Sequence, residues 1–396
     1  MKLKNLMIVS LCTLFLFACK ESEDYRDVIY MTGAQNTVTR LFTVDPDQSV
    51  SETALTVTSS DKLASSMVID IKEDTSLVDS YNQKFEKNYK LLPAGSYTIS
   101  KPIPAPDEED KEILALKDNQ VLIKAGSNVS TQMKLSIIDL SRFEEGITYV
   151  LPVSVVNNNQ GMSILTPSST VYFVINMTII TQATVLTGNY LQVDFSKNQD
   201  ASLTALPAVT YETRVFVNKF QDRNPFISSV MGLEENFLLR FGDTGIQNNQ
   251  LQIAKPGLAS KSEFSTGTWH HIAAVFEGGN VRLYKDGELE SSGVHTEATS
   301  IDLTKVYGDP MFMIGRSANG RGLDGAVSEM RVWKKALSPA ELKNNMCFVD
   351  PTTPGLVAYW KFNGAEGRVV RDETGNGYDA NAATDIKFMD HVRCPE

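Results

Sequence analysis

The sequence predicts an all-β protein made of two successive β-sandwiches, and three observations carry that reading. Short runs rich in Val, Ile, Tyr and Phe recur along the chain, cut by Gly, Pro and Asn turn signals. In the second half several runs alternate apolar and polar residues, and one leads into Asp286-Gly287, the dipeptide that favours a tight type I′ hairpin. Helical signals are confined to two short segments.

Composition bounds the class. The 396 residues give a prior of two to three domains, and 42% hydrophobic with 21% charged residues is the balance of a folded protein. Lys and Arg total 37 against 48 Asp and Glu, a net charge of -11. A protein that tracks phosphates needs a basic face, so nucleic-acid binders are excluded. Beyond residue 19 no apolar run approaches the roughly 20 residues that span a bilayer, which excludes multi-span transporters.

The chain opens with a targeting segment, residues 1–18. Lys2 and Lys4 precede an apolar run over 6–18, the pattern of a secretory signal. The run closes on Leu16, Phe17, Ala18 and Cys19. A leucine three positions before a cysteine, with a small residue just before it, resembles a bacterial lipobox, although Phe17 is bulkier than usual there. The resemblance implies that Cys19 accepts diacylglycerol and becomes the N-terminus. Several acyl chains at about 0.8 kcal/mol per buried CH2 make such an anchor stable. The tether over 19–26 contains Lys20-Glu21-Ser22-Glu23-Asp24, which resembles the signal that exports lipoproteins to the outer face of the Gram-negative outer membrane. A solvated tether is the alternative. Without residues 1–18 the chain carries 35 basic and 48 acidic residues, near -13, which suits a surface beside anionic lipopolysaccharide. Cys12 leaves with the signal, so Cys347 and Cys394 remain. Two cysteines in an exported chain favour a disulfide, closing a loop of about 48 residues worth about 4 kcal/mol. No CxxC or matching His pair supports zinc.

Residues 27–183 are expected to form the first sandwich. Strands are read at 97–99, 120–123, 133–138 and 171–175, with turns at 93–95 and 125–128. Leu77, Tyr81, Phe85 and Tyr89 recur every four residues, which predicts a short helix across the sandwich with its N-cap in Asp74 to Ser76. The proline- and acid-rich stretch up to Glu112 reads as a solvated loop. Leu91-Leu92-Pro93 with Tyr97, and the string GITYVLPV at 146–153, resemble the N-terminal domain of unknown function that precedes lectin-like or chitinase-like modules in glycan-utilisation lipoproteins. The resemblance implies an Ig-like β-sandwich acting as a spacer.

Residues 184–396 carry sharper motifs. WHHIAAVF at 269–276 is an alternating strand, Glu277 to Asn280 a turn, and Val281 to Lys285 the returning strand. Ile314-Gly315-Arg316 precedes LDGAVSEMRVW at 323–333, and Ser338-Pro339-Ala340-Glu341 is a capping box with proline at the first helical position. GLVAYWKF at 355–362 is a strand and DETGNG at 372–377 a turn. In that order these strings resemble the laminin-G-like jelly roll of the concanavalin A-like lectin and glucanase superfamily. The resemblance implies a two-sheet antiparallel sandwich that binds carbohydrate or protein, often with calcium.

An enzyme on this fold needs a carboxylate pair, and strand geometry would announce it as E-x-D or E-x-D-x-x-E. No such string occurs in 184–396; Glu234-Glu235 would face oppositely, and Glu288 and Glu290 follow a hairpin turn. H-E-x-x-H and G-x-S-x-G are also absent. His270 and His271 are assigned structural roles, and Trp269, Trp333 and Trp360 are assigned to sheet packing. Sugar-stacking candidates are the loop residues Phe226, Tyr307 and Tyr378. Arg223, Arg316, Asn319 and Arg321 are candidate donors to hydroxyls. Asp372, Thr374 and Asn376 put oxygens on a glycine-bearing turn with Asp379 close by, a candidate calcium site. A plain Asp-initiated turn is the other reading.

These readings converge on a lipid-anchored outer-membrane protein facing the exterior, whose jelly roll binds glycan for an uptake system with a partner transporter or hydrolase. An adhesion or assembly module that binds protein is the alternative, and a glycoside hydrolase or lyase is third.

Overall fold

A computed structural model describes residues 26–106, 109–305 and 311–395. Cys19, nearly all of the acidic tether and Tyr307 lie outside the described residues. The chain is all-β. Contacts divide it into one unit comprising 1–42, 48–142 and 148–175, and a second comprising 43–47, 143–147 and 176–396. Among the described residues no helix is long and apolar enough to cross a membrane.

The first unit is a sandwich built on a sheet with the order Thr39–Val44, Thr170–Met177, Tyr149–Asn158, Met67–Glu73, Gln120–Ile123. Two three-stranded sheets complete it. Tyr149–Asn158 buries both faces, so its run of Val and Leu reads as continuous rather than alternating. The expected helix is Val78–Phe85, preceded by a 3-10 turn over Thr75–Leu77. Its N-cap is Leu77, without a side-chain bond, because the Asp74 carboxylate accepts from Ser76 Oγ (2.7 Å) instead. Glu86 takes a left-handed conformation and ends the helix, so Tyr89 lies beyond it, yet its ring still sits 6.2 Å from that of Tyr81. The acid-rich stretch contains one turn of helix, Lys111–Leu114, capped by Asp110, which accepts from the backbone of Glu112 and Ile113. Burial of Ile113 against Leu116 and Leu122 fixes that turn.

The second unit stacks two eight-stranded sheets. The first runs Glu288–Val294, Asn280–Lys285, Trp269–Glu277, Ala208–Lys219, Asp324–Trp333, Ile179–Val185, Lys387–Cys394, with Leu356–Trp360 paired to Asp324–Trp333. The second is centred on Phe237–Asp243, Ser228–Leu233 and Phe312–Ile314. Alternating residues meet between the layers: Tyr211 and Phe312 pack edge to face at 5.2 Å, and the rings of Phe195 and Trp360 lie 6.4 Å apart. Asp286 and Gly287 both have positive φ (51° and 75°), the type I′ geometry expected for that hairpin.

The capping box also forms: Ser338 Oγ accepts from Glu341 N, and the Glu341 carboxylate accepts from Ser338 N. It starts the helix Pro339–Asn345, whose segment packs Leu337, Leu342 and Val349 over Ala273, Val275, Trp333 and Tyr359 on the outer face of the first sheet. Each such apolar side chain stabilises by about 2 kcal/mol. A Cys347–Cys394 disulfide ties this cover to Lys387–Cys394, so the two cysteines pair as expected.

Candidate functional site

Ala208–Lys219 belongs to the first sheet and Ser228–Leu233 to the second, so residues 220–227 cross between the layers. Residues 315–323 make the reverse crossing, from Phe312–Ile314 to Asp324–Trp333. Lys219 and Asp324 are register partners, which brings both crossings to one end of the sandwich. A cleft of about 270 Å³ opens there, walled by Lys219, Gln221, Asp222, Arg223, Ser228 and Asp324.

The loop is pinned rather than loose. Gln221 N donates to Ser228 Oγ (3.2 Å), Asn248 Nδ2 to Gln221 O (3.1 Å) and Phe226 N to Arg223 O (2.6 Å). Gly242 has φ +69°, and a Cβ there would fall 2.1 Å from Phe226 O, so only glycine lets the neighbouring strand pass this close. Phe226 itself is held at φ 65° with 37% exposure. That conformation costs a non-glycine residue about 1–2 kcal/mol, and strain of this kind concentrates at binding sites.

The cleft mixes donors and acceptors. Lys219 Nζ lies 2.8 Å from Asp222 Oδ2, and its hydrogen bond holds the Asp222 carboxyl below the usual range. Asp324 Oδ1 accepts from Thr187 Oγ1 (2.7 Å) and Asn218 Nδ2 (3.2 Å). The Arg223 side chain is exposed and forms no ion pair among the described residues. Carboxylate, guanidinium and amide groups of this kind can bond hydroxyls, and an exposed ring on the same loop can pack against a C–H face. Of the residues singled out in the sequence, Arg223 lines the cleft and Phe226 stands on its loop. Lys219, Gln221, Asp222 and Ser228 flank Arg223 in sequence but carry no distinguishing motif, and Asp324 joins them only through the pairing of distant strands.

The remaining candidates divide. Arg316 stacks over the Tyr190 ring at 4.6 Å, and Arg321 Nη1 lies 3.4 Å from Glu234 Oε1, whose other oxygen accepts from Ala318 N (3.4 Å). Both arginines therefore brace residues 315–323. The Asn319 side chain lies outside what the structure describes. Tyr378 is a correction: it is 3% exposed and its ring sits 4.9 Å from that of Phe195, so it belongs to the core and offers no face to a sugar. Trp360 Nε1 donates to Tyr378 O (2.8 Å), which draws that backbone inward.

Asp372, Thr374, Asn376 and Asp379 do share one turn, but its oxygens already serve the protein. Asp372, 8% exposed, accepts from the backbone N–H groups of Tyr359, Thr374 and Tyr378, each at 3.1 Å, and from Thr374 Oγ1. Asp379 accepts from Asp372 N (2.9 Å) and pairs with Arg371 (2.8 Å). Among the described residues no group of three His, Cys, Asp or Glu side chains is arranged to hold a metal ion. The turn as it stands does not fit calcium, since its carboxylates are committed to donors rather than left open to a cation.

Charged groups also gather under the helical cover, on the outer face of the first sheet. Glu212 is fully buried and its carboxylate meets His271 Nε2 (3.0 Å), Trp333 Nε1 (2.8 Å) and Arg331 Nη1 (3.4 Å). Arg331, also fully buried, bonds Glu329 and donates to Asn345 O (2.9 Å), and it stacks on Tyr359 at 4.7 Å. Burial raises the Glu329 carboxyl, while at Glu212 burial is outweighed by Arg331 and the pKa falls. This cluster is closed to solvent and acts as a structural core of charge. His270 is likewise occupied, its Nδ1 2.8 Å from Asp286 Oδ2. Trp333 and Trp360 are fully buried. Of the carboxylates weighed for catalysis, Glu288 pairs with Lys343, Glu235 with Lys255 (3.1 Å), and Glu290 accepts from Ser262 Oγ (2.7 Å).

Residues 187–343 match the family model of the concanavalin A-like lectin/glucanases superfamily, and residues 24–162 match a model described as an N-terminal domain. No curated protein matches the chain. Among solved structures, a candidate carbohydrate-binding protein from Bacteroides ovatus is 25% identical, with a TM-score of 0.61 over 92% of this chain and 98% of that one. Domain 4 of an extracellular arabinanase from Geobacillus stearothermophilus, solved with arabinotriose, is 18% identical, with a TM-score of 0.31 over 41% of this chain and 75% of that one. A pentraxin from Limulus polyphemus is 14% identical, with a TM-score of 0.30 over 41% and 80%.

Proposed function

We propose that this chain, whose second unit is a concanavalin A-like domain, binds carbohydrate in the cleft between residues 219–228 and 322–324. The observation that carries the reading is the likeness to the Bacteroides ovatus candidate carbohydrate-binding protein, which runs through both units and nearly the full length of that protein. The chemistry of the cleft supports it: Arg223 and Lys219 donate, Asp222 and Asp324 accept, and the exposed Phe226 belongs to the same crossing loop. Pinning the loop in advance lowers the entropy lost when a flexible, hydroxyl-rich ligand docks. We place the chain on the outer membrane, anchored through Cys19 and serving a glycan-uptake system. The lipobox-like string at 16–19 and the acidic tether support that address.

The test is a glycan array probed with residues 20–396 and with Arg223→Ala, in calcium and in chelator. Selective binding lost in Arg223→Ala supports the cleft, and an unchanged signal in chelator supports a metal-free site. No binding across a broad array would move the assignment to a protein ligand. For the address, Cys19→Ala abolishes palmitate incorporation; undiminished labelling would refute the anchor.

A further inference from the structure

The proposed function leaves the first unit without a task, yet the helix Val78–Phe85 builds a feature there that a spacer does not need. Tyr81 and Phe85 lie one helical turn apart, and Tyr81 meets Tyr172 of the strand Thr170–Met177. The rings of Tyr81 and Tyr172 are stacked at 4.5 Å, and those of Tyr81 and Phe85 sit at 4.6 Å. Tyr81 is 4% exposed and its hydroxyl is bonded to Thr39 Oγ1 (2.9 Å), so it forms a fixed floor. Phe85 and Tyr172 are only partly covered and stand as walls. Between them lies a pocket of about 240 Å³, with Ser80, Lys84, Thr166 and Thr170 on its rim.

Three properties identify the occupant. The aromatic walls favour a flat C–H-rich face, and the rim of hydroxyls and one ammonium favours a ligand with several hydroxyls at its edge. The volume lies below the range of drug-sized pockets and suits a single ring. Ser80, Lys84 and Thr166 are exposed while Tyr81, Phe85 and Tyr172 are covered or partly covered, which suits an object apolar in the middle and polar at its edge. A pyranose has that form. We infer that the pocket between Tyr81, Phe85 and Tyr172 binds one pyranose unit, as a second carbohydrate site in the first unit. The inference shares its ligand class with the proposed function but not its residues. Two sites on one chain would raise avidity for a polysaccharide able to reach both.

The experiment is saturation-transfer NMR on residues 20–396, with methyl α-D-mannopyranoside, methyl β-D-glucopyranoside and methyl β-D-galactopyranoside as probes and the aromatic protons irradiated. Wild-type protein is expected to transfer saturation to the ring protons of at least one probe. Ser80→Trp fills the pocket from an exposed helical position without hollowing the core, and should reduce that signal at least fivefold. Phe85→Ala should do the same, while Tyr172→Phe keeps the ring and the signal. These comparisons are made in an Arg223→Ala background, which removes the contribution of the cleft, so the signal that remains and falls with Ser80→Trp is that of the pocket. A signal that survives Ser80→Trp and Phe85→Ala, or no signal with any probe, would overturn the inference. A signal that vanishes in Arg223→Ala alone would overturn it too, while supporting the cleft. Loss of array binding in Arg223→Ala bears on the cleft and leaves the pocket standing.

Discussion

Arg331→Met should be among the most damaging single changes in the second unit. The guanidinium is fully buried, bonded to Glu212 (3.4 Å), to Glu329 and to Asn345 O (2.9 Å). Methionine roughly keeps the volume but strands two carboxylates in the interior. Breaking a buried pair from one side costs about 3–5 kcal/mol, because the remaining charge stays desolvated. For a unit of 150–250 residues, each kcal/mol lowers Tm by roughly 2–4 °C, so the fall should be about 6–20 °C. Differential scanning calorimetry reads it as a downward shift of the second unit's transition, with that of the first unit as an internal reference. Arg282→Met is the control, since its pair with Glu277 (2.9 Å) is largely exposed and should be worth under about 1 kcal/mol. The deficit should narrow near pH 4, where the stranded carboxyls take up protons and no longer carry charge inside. A fall of less than about 2 °C at pH 7, or a fall equal to that of Arg282→Met, would refute the reasoning.

Other changes test separate parts. The Asp286 carboxylate accepts from His271 N (2.9 Å) and His270 Nδ1 (2.8 Å), and although burial works the other way these bonds hold its pKa below the usual value. Its contribution is thus present above about pH 4 and lost as pH falls through the lowered folded value. Asp286→Asn should cost about 1–2 kcal/mol at pH 7 by urea titration and much less at pH 2.5, and an equal cost at both would contradict the assignment. The double replacement of Cys347 and Cys394 by Ala should lower the second unit's unfolding free energy by about 4 kcal/mol, read by denaturant titration. Alkylation of the native protein should add mass at these two thiols only after reduction; labelling without reductant would disprove the bond. Gly242→Ala must displace the Phe226 carbonyl 2.1 Å from its Cβ, so glycan-array binding should fall at least tenfold. Normal binding by that variant would detach the Phe226 loop from the ligand.

What the sequence disclosed was what neighbouring residues decide. The Asp-Gly pair at 286–287, the capping box at 338–341 and the alternation of 269–276 are set within four to eight residues, and each formed as expected. The turn at 372–377 was ambiguous for a related reason. The spacing of Asp372, Thr374 and Asn376 is the same whether its oxygens face a cation or the backbone, and the decisive donor, Tyr359 N, comes from a different strand. Tyr378 looked like loop chemistry because its flanks are glycine-rich, but Trp360 reaches across to hold it in the core. Glu212 carried no local signal at all. Its partners His271, Arg331 and Trp333 lie 59 to 121 positions away, and only the pairing of three strands reveals them. The cleft fell between these cases, since Arg223 and Phe226 were visible as loop residues and Asp324 as part of a strand motif, while their proximity depends on register.

The pairing of Ile179–Val185 with Lys387–Cys394 joins stretches of chain more than 200 residues apart. A polypeptide delivered amino end first would therefore hold one sheet margin open, with unpaired amides along Ile179–Val185, until almost the whole jelly roll had emerged. Closure across so long a separation makes folding slow and all-or-none rather than progressive. It also makes Lys387–Cys394 a final check on assembly: losing that strand would unseal the margin and release the helical cover that Cys394 secures, while leaving every residue of the cleft in the chain. Such a product would carry the ligand-contacting side chains and still be an aggregation hazard, so intact length is a better index of a competent molecule than the presence of its binding residues.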